Sequence, residues 1–214
     1  MTTVSSVFLE KTVQYYREKL AAHGPGAQGM DWKDQETQYL RFEVIARYID
    51  FRSNPTVLDV GCGSGEFLTY CQTHELSLRY QGIDVCPEMV AACQSRHGMA
   101  SAREATVDDL VNQEESFDYV IASGTFNAKM EIEEKQWRKY FHDSMKSMFH
   151  LSRVAAVVNM MTCYVDYRYD RLYYASPNEI GEFAVNNLSP DFIIDQSYPL
   201  YEMTAVFSRP RASS

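Results

Sequence analysis

The sequence predicts an α/β protein built on a mostly parallel β-sheet, and three observations support this prediction. Residues 57–60 form an apolar run around Asp59 and lead into glycines at positions 61, 63 and 65, a pattern typical of a buried strand that ends in a tight turn. Strand and helix patterns then alternate as far as residue 160, as they do in βαβ units. Finally, two strand-like segments near the carboxyl terminus are joined by a connection so short that they must pair antiparallel.

The first two predicted elements are helices. Residues 7–22 carry apolar side chains along one helical face, and a break containing glycine and proline follows at 23–29. A second helix is expected from Gln35 to Phe51. These helices precede the first strand and are expected to cap the sheet.

The remaining elements make up the predicted sheet and its covering helices. Ser176 and Pro177 resemble an N-cap followed by a proline at the first helical position, with a helix expected to end near Asn187. The seven predicted strands cover residues 56–60, 79–84, 101–107, 117–122, 153–160, 192–195 and 201–208.

The chain has 214 residues, which is enough for one domain with a large core. We expect a single domain over residues 1–214, divided into an N-terminal helical cap at 1–52 and an α/β core at 53–214.

The composition is that of a globular protein, with 45% hydrophobic and 23% charged residues. A net charge of −9 argues against nucleic acid and anionic membranes as partners, because both are bound through Lys and Arg. No apolar stretch approaches the roughly 20 residues of a membrane span, and no signal peptide is evident. Five cysteines without C-x-x-C or metal-ligand spacing are expected to be reduced thiols in a cytoplasmic protein without a metal. The oligomeric state is left open.

The glycine-rich turn after residue 60 carries most of the functional information. Its glycines allow positive φ and a close approach of a ligand to the backbone, and the next helix points free N–H groups at the same place. A dinucleotide fingerprint G-x-G-x-x-G would need its third glycine at position 66, where this chain has Glu66. The spacing therefore favours a nucleotide-type cofactor other than a dinucleotide.

The arrangement Asp59-x-Gly61-x-Gly63-x-Gly65 resembles motif I of the class I S-adenosylmethionine-dependent methyltransferases. Segments at 29–42, 123–129, 165–174 and 198–202 extend the resemblance to a group of small, mostly uncharacterised bacterial methyltransferases over nearly the whole chain. The resemblance implies the Rossmann-like class I methyltransferase fold, with S-adenosylmethionine as cofactor and S-adenosylhomocysteine as product. Ser64 is a mild departure from the residues common at that position.

Further cofactor contacts are expected where the next strands end. Asp84 ends the second strand 19 residues after Gly65, where Rossmann-like folds place a carboxylate on the ribose hydroxyls. The resemblance implies an acid after the third strand for the adenine amino group, for which we prefer Asp108 but keep Asp109 open. The complete predicted cofactor set is Asp59, Gly61, Cys62, Gly63, Gly65, Asp84, Val85, Asp108, Ser123, Gly124 and Arg41.

The acceptor is expected between the loop after strand four, the helical cap and a tyrosine-rich segment at 164–174. Arginines in that segment would suit an acceptor with an acidic group, although the segment could equally be structural, with aromatic residues packed on the sheet. Trp32 could be core or gate. The predicted acceptor-binding residues are Tyr16, Trp32, Phe126, Asn127, Tyr164, Tyr167, Arg168, Arg171 and Tyr173.

The sequence thus predicts methyl transfer to an oxygen or nitrogen of a small molecule, achieved mainly by holding the acceptor in line with the methyl group. No catalytic residue is predicted: no histidine adjoins a motif loop, and a base is needed only if the acceptor must lose a proton. Two alternatives are a nicotinamide-dependent oxidoreductase of Rossmann type and a catalytically silent, methyltransferase-like binding protein.

Overall fold

Two long helices precede the sheet. The structure, a computed structural model, describes residues 4–24, 26, 29 and 34–210, with side chains from residue 10 onward. Helix α1 covers Val4–His23 and α2 covers Gln35–Ala46. Asp34 caps α2, since its Oδ1 accepts a hydrogen bond of 2.8 Å from the backbone N–H of Thr37.

The sheet has seven strands in the order β3-β2-β1-β4-β5-β7-β6. Strands β1 to β5 pair in parallel, whereas β7 is antiparallel to both β5 and β6, as the short C-terminal connection predicts. The predicted fold class is therefore confirmed. The strands are β1 Thr56–Val60, β2 Arg79–Asp84, β3 Ala102–Glu104, β4 Phe117–Ser123, β5 Ser152–Met161, β6 Phe192–Asp195 and β7 Glu202–Ser208.

Helices cover both faces of this sheet and enclose two apolar clusters. One cluster contains Trp137, Phe141 and Met148 on one face, and the other packs Phe42 and Phe67 against β1 and β4 on the opposite face. The helices of the core are α3 Glu66–Thr73, α4 Pro87–His97, α5 Val107–Asn112, α6 Glu134–Leu151 and α7 Pro177–Asn187.

Two predicted boundaries are wrong. Helix α2 ends at Ala46 rather than Phe51, because the N–H groups of Tyr48 and Ile49 bond three residues back and a short 3₁₀ turn follows at Phe51–Ser53. Strand β3 stops at Glu104 rather than residue 107, since Thr106 and the residue three further on form a capping box that starts α5.

Helix α7 begins where the sequence predicts it, but the predicted N-cap hydrogen bond is absent. Pro177 is its first residue, yet the Ser176 side chain makes no capping hydrogen bond. The fixed φ of proline at this position favours helix initiation without that bond.

Candidate functional site

The loop between β1 and α3 lies against the end of β2 and is hydrogen-bonded to it. The N–H groups of Gly61 and Cys62 both donate to the carbonyl of Ile83, at 2.8 and 3.0 Å. Gly61 has φ +72°, and a Cβ there would lie 2.4 Å from Thr125 Cγ2, so that only glycine fits. The loop therefore forms an open cradle at the carboxyl end of the sheet, where ligands of open α/β folds bind.

Asp84 lies beside this cradle at the end of β2. Its Oδ2 accepts a 2.9 Å hydrogen bond from Gly63 N–H, and its Oδ1 accepts one of 2.9 Å from Cys86 N–H. Burial raises the pKa of Asp84, while these backbone donors act in the opposite direction. Each carboxylate oxygen keeps a second lone pair, so the side chain is able to accept bonds from ligand hydroxyls.

Asp59 is buried below the same loop, only 4% exposed. The hydroxyl of Tyr80 donates to its Oδ2 at 2.9 Å. Burial raises the pKa of Asp59 to about 7, although the Tyr80 hydrogen bond works to lower it. A cationic ligand group at this position would favour the ionised carboxylate.

The loop after β4 forms the next part of the site. Thr125 Oγ1 donates to the carbonyl of Val60 at 2.7 Å, and Trp137 Nε1 donates to the carbonyl of Phe126 at 3.1 Å. These two bonds fix the loop relative to β1 and α6. Asn127 is structural in this arrangement, because its Oδ1 accepts a 3.0 Å bond from the N–H of Met161.

A single cavity connects these groups, with about 1270 Å³ of empty space including its mouth to solvent. Of the residues predicted from the sequence, it is lined by Asp59, Gly61, Cys62, Gly63, Asp84, Val85, Asp108, Ser123, Gly124, Tyr16 and Phe126. Of the two aspartates of α5, Asp108 lines the cavity and also accepts a 2.7 Å hydrogen bond from Ser147 Oγ, whereas the Asp109 carboxylate is used in the capping box.

Two residues of the predicted cofactor set are placed elsewhere. Gly65 caps α3, and a Cβ there would meet Cys93 Sγ at 2.7 Å, so its role is to let α3 and α4 approach. The Arg41 guanidinium donates three hydrogen bonds of 2.6–2.9 Å to the Glu202 carboxylate. It also donates one of 2.6 Å to the carbonyl of Thr37. Arg41 thus ties α2 to β7 instead of lining the cavity.

The tyrosine-rich segment at 164–174 also lies outside the cavity lining. Arg168 stacks over the Tyr174 ring at 5.4 Å, and Arg171 Nη1 donates to the hydroxyl of Tyr15 at 3.2 Å. Tyr173 is 2% exposed and packs on Phe141. Tyr164 and Tyr167 are exposed by more than half, and Trp32 lies outside the described residues. The segment is a rim tied to α1, and the structure brings neither of its arginines to the cavity.

Several cavity residues were missed by the sequence reasoning. Gln38 and Phe42 come from α2, Thr12 from α1, and Tyr140 and Ser144 from α6. Gln38 could have been found, since the buried face of α2 runs through positions 38, 41, 42 and 45 and would place a polar side chain among apolar ones. The remaining unpredicted lining residues are Val60, Glu66, Phe67, Ile83, Met89, Ala105, Thr106, Val107 and Thr125.

The cavity wall fits a polar ligand. Within the described residues, Gln38 Oε1, Ser123 Oγ and Thr12 Oγ1 are buried without a hydrogen-bond partner, and all three side chains line the cavity. Buried polar atoms normally have partners, so these atoms point to a bound molecule. Among the described residues, no group of three or more His, Cys, Asp or Glu could hold a metal ion. No described helix is long and apolar enough to cross a membrane.

Comparison with known sequences gives the class of protein. A family described as "Methyltransferase domain" matches residues 57–148. The chain is also 30% identical over 151 residues to "Putative methyltransferase Rv1506c" of Mycobacterium tuberculosis (strain ATCC 25618 / H37Rv), an alignment that covers 70% of this chain and 90% of that protein.

Solved structures share the fold. The DhpI-SAM-HEP complex gives a TM-score of 0.65 at 16% identity and covers 95% of this chain and 98% of its own. Magnesium protoporphyrin IX methyltransferase (ChlM) from Synechocystis PCC 6803 with bound SAM gives a TM-score of 0.56 at 16% identity, with 80% of each chain covered.

The chain belongs to the class I S-adenosylmethionine-dependent methyltransferases. The protein is accordingly an S-adenosylmethionine-dependent enzyme. Family membership decides against the nicotinamide-dependent alternative.

Proposed function

We propose that the protein transfers the methyl group of S-adenosylmethionine to an oxygen or nitrogen atom of a small-molecule acceptor bound beneath the helical cap. The observation that carries this proposal is the course of the cavity. It runs from Asp84 past the glycine loop to Phe126 and Tyr16, and it opens to solvent at its mouth. This course places the carboxyl end of the sheet, where the cofactor is proposed to lie, next to residues of the cap and of the loop after β4, where an acceptor is able to approach.

In this proposal the cofactor lies along the carboxyl edge of the sheet. Asp84 accepts hydrogen bonds from the ribose hydroxyls, Asp108 receives the adenine amino group, and Asp59 with the glycine loop holds the amino-acid end. The methyl group then faces the loop at Ser123–Phe126. The support for this order is that β2, β1 and β4 are neighbours in the sheet and present these residues in sequence along one edge.

When bound, S-adenosylmethionine supplies a methyl carbon on a positively charged sulfur, which keeps the electron pair of the broken bond while the acceptor lone pair forms the new one. The protein's part is to hold the acceptor in line and to exclude water. The hydrogen bonds of Thr125 to Val60 and of Trp137 to Phe126 fix the loop that faces the acceptor. Tyr16 and Thr12 of α1 cover the cavity from the cap side.

A small acceptor also agrees with two structural neighbours, the DhpI-SAM-HEP complex and magnesium protoporphyrin IX methyltransferase. The acidic group expected on the acceptor is not part of the proposal, because Arg168 and Arg171 are engaged at the rim. We propose Tyr16 and Phe126 as acceptor contacts, with Asn127 positioning the loop from behind.

The test starts with calorimetric binding of S-adenosylhomocysteine and NAD to the wild type and to Asp84→Ala. We expect micromolar binding of S-adenosylhomocysteine, at least tenfold weaker in the variant, and no binding of NAD. The protein is then incubated with S-adenosylmethionine and separate sets of small alcohols, carboxylic acids, amines, RNA and peptides, and release of S-adenosylhomocysteine is followed. Turnover with RNA or peptides only, or with no set at all, would contradict the proposed acceptor class.

A further inference from the structure

We propose that Gln38 of the helical cap binds the amino-acid end of S-adenosylmethionine, with its amide oxygen on the α-ammonium group. This inference concerns a residue that neither the glycine motif nor the ribose and adenine acids include. It rests on the cofactor placement proposed above.

The first observation is the burial of Gln38 together with its missing partner. The residue is only 1% exposed, lines the cavity, and its Oε1 has no hydrogen-bond partner within the described part of the chain. Leaving a buried acceptor without a donor costs about 1–3 kcal/mol. A ligand that brings an N–H or O–H donor to this atom removes that cost.

The second observation is where α2 holds this side chain. One turn after Gln38, the Phe42 ring packs 5.5 Å from Phe67, the second residue of the helix that follows the glycine loop. On the other side, Arg41 is fixed by Glu202, at the start of β7 and next to the end of β5. Gln38 therefore lies above the edge formed by β1, β4 and β5, away from Asp84 on β2, where the ribose is placed.

The chemistry of the ligand also fits an amide at this position. The amino-acid end of the cofactor carries an ammonium donor and a carboxylate acceptor on the same carbon atom, and a primary amide offers one acceptor and two donors. Nearby, Asp59 provides a carboxylate that a cation would keep ionised. An uncharged amide at position 38 can thus bind a zwitterion without adding a further negative charge to this part of the cavity.

The experiment compares two ligands that differ in this end alone. S-adenosylhomocysteine has the amino-acid end, whereas 5′-methylthioadenosine lacks it and keeps the adenosine. Binding of both to wild type and Gln38→Leu is measured by calorimetry. We expect Gln38→Leu to weaken S-adenosylhomocysteine by about 10- to 100-fold, as for a lost hydrogen bond to a charged group, and to leave 5′-methylthioadenosine within twofold.

Two further variants complete the design. Gln35→Leu makes the same change at an exposed position of the same helix and should leave both affinities unchanged. Gln38→Asn keeps the amide but shortens its reach, and should reproduce the selective loss even if Gln38→Leu unfolds. A thermal melt of each variant reports folding independently of ligand.

Equal weakening of both ligands, or unchanged binding of S-adenosylhomocysteine, would overturn the role of Gln38. A failure of the proposed cofactor placement would give a different result. In that case Asp84→Ala would bind S-adenosylhomocysteine and 5′-methylthioadenosine as tightly as the wild type does.

Discussion

The hydroxyl of Tyr80 on β2 donates a 2.9 Å hydrogen bond to the Asp59 carboxylate on the adjacent strand β1. This bond joins the two strands beneath the glycine loop and opposes the effect of burial on Asp59, whose pKa is raised to about 7. A carboxyl group that titrates near neutral pH makes both the stability of the ligand-free protein and cofactor binding depend on pH.

Asp59→Asn should stabilise the ligand-free protein at pH 8. The folded protein keeps a proton on Asp59 at pH values where the unfolded chain, with a pKa near 3.8, has lost it. The free energy of unfolding therefore falls as pH rises from about 4 to about 7 and stays lowered above that. One pKa unit corresponds to about 1.4 kcal/mol, so the gain from Asp59→Asn is on the order of a few kcal/mol.

Urea denaturation at pH 5 and pH 8 checks this prediction, with Asp170→Asn, an exposed aspartate, as control. The stability difference between Asp59→Asn and wild type should be larger at pH 8 than at pH 5. Equal differences at both pH values would mean that Asp59 is ionised throughout. The same variant should bind S-adenosylhomocysteine more weakly.

Tyr80→Phe should move the pH dependence of S-adenosylhomocysteine binding to higher pH. In the proposed cofactor placement, the ionised Asp59 attracts the ligand ammonium group, so the dissociation constant of the wild type should rise by about tenfold between pH 8 and pH 6. Without the Tyr80 hydroxyl, the pKa of Asp59 rises further, since that hydrogen bond lowers it. Calorimetry across this pH range gives the midpoint for each protein.

Tyr39→Phe is the matched control, because it removes a tyrosine hydroxyl from the same face of the sheet. Its binding curve should coincide with that of the wild type. A Tyr80→Phe midpoint at or below the wild-type value would show that the hydrogen bond does not tune Asp59.

Asp108→Ala and Asp109→Ala should affect different properties. Asp108 lines the cavity, so its removal should weaken adenosine and S-adenosylhomocysteine binding by about tenfold. The Asp109 carboxylate accepts bonds of 2.7 and 2.8 Å from the side chain and N–H of Thr106. Its removal should cost about 1 kcal/mol of stability and leave binding intact.

Paired calorimetry and urea titrations on the two variants separate these effects. If Asp109→Ala bound the ligands weakly and Asp108→Ala bound them normally, the adenine role would belong to Asp109 instead of Asp108.

Gly61→Ala should abolish cofactor binding. Its Cβ would lie 2.4 Å from Thr125 Cγ2 in a backbone with φ +72°, so the cradle or the β4 loop must shift. Gly98→Ala provides the control, since Gly98 also has positive φ but open space around the added Cβ. Both variants should lose stability through backbone strain, yet only Gly61→Ala should lose S-adenosylhomocysteine binding by calorimetry.

Normal binding by Gly61→Ala would mean that the loop adapts and that its close approach to Thr125 is not required. Loss of binding in Gly98→Ala as well would attribute the effect to general destabilisation.

The sequence predicted the functional residues best where they lie at the ends of strands, since a strand end can be recognised from local sequence alone. Asp59, the glycines and Asp84 lie at strand ends, and the position of a strand end follows from an apolar run and a turn signal. The reversed C-terminal strands were predictable because a short connection permits only antiparallel pairing. These local signals need no knowledge of distant contacts.

The helical cap was less predictable, because its role depends on contacts distant in sequence. Arg41 was expected at the cofactor, but its partner Glu202 lies 161 residues away. Gln38 is a partial exception, since the buried face of α2 marks it as a polar residue among apolar ones, although only the packed position of α2 shows that it faces the cavity. The tyrosine-rich segment shows the limit of composition as evidence, because its aromatic residues form a rim around Arg168 and Arg171 and do not line the pocket.

The Arg41–Glu202 pair also links two parts of the chain that are far apart in sequence. Helix α2 precedes every described strand, whereas Glu202 is the first residue of β7, the last strand of the described chain, which lies between β5 and β6. Without Glu202, the Arg41 guanidinium would be buried without this carboxylate, and burying an unpaired charge costs several kcal/mol. Burial of Arg41 therefore depends on β7, which couples the docking of α2 to the pairing of the last described strand.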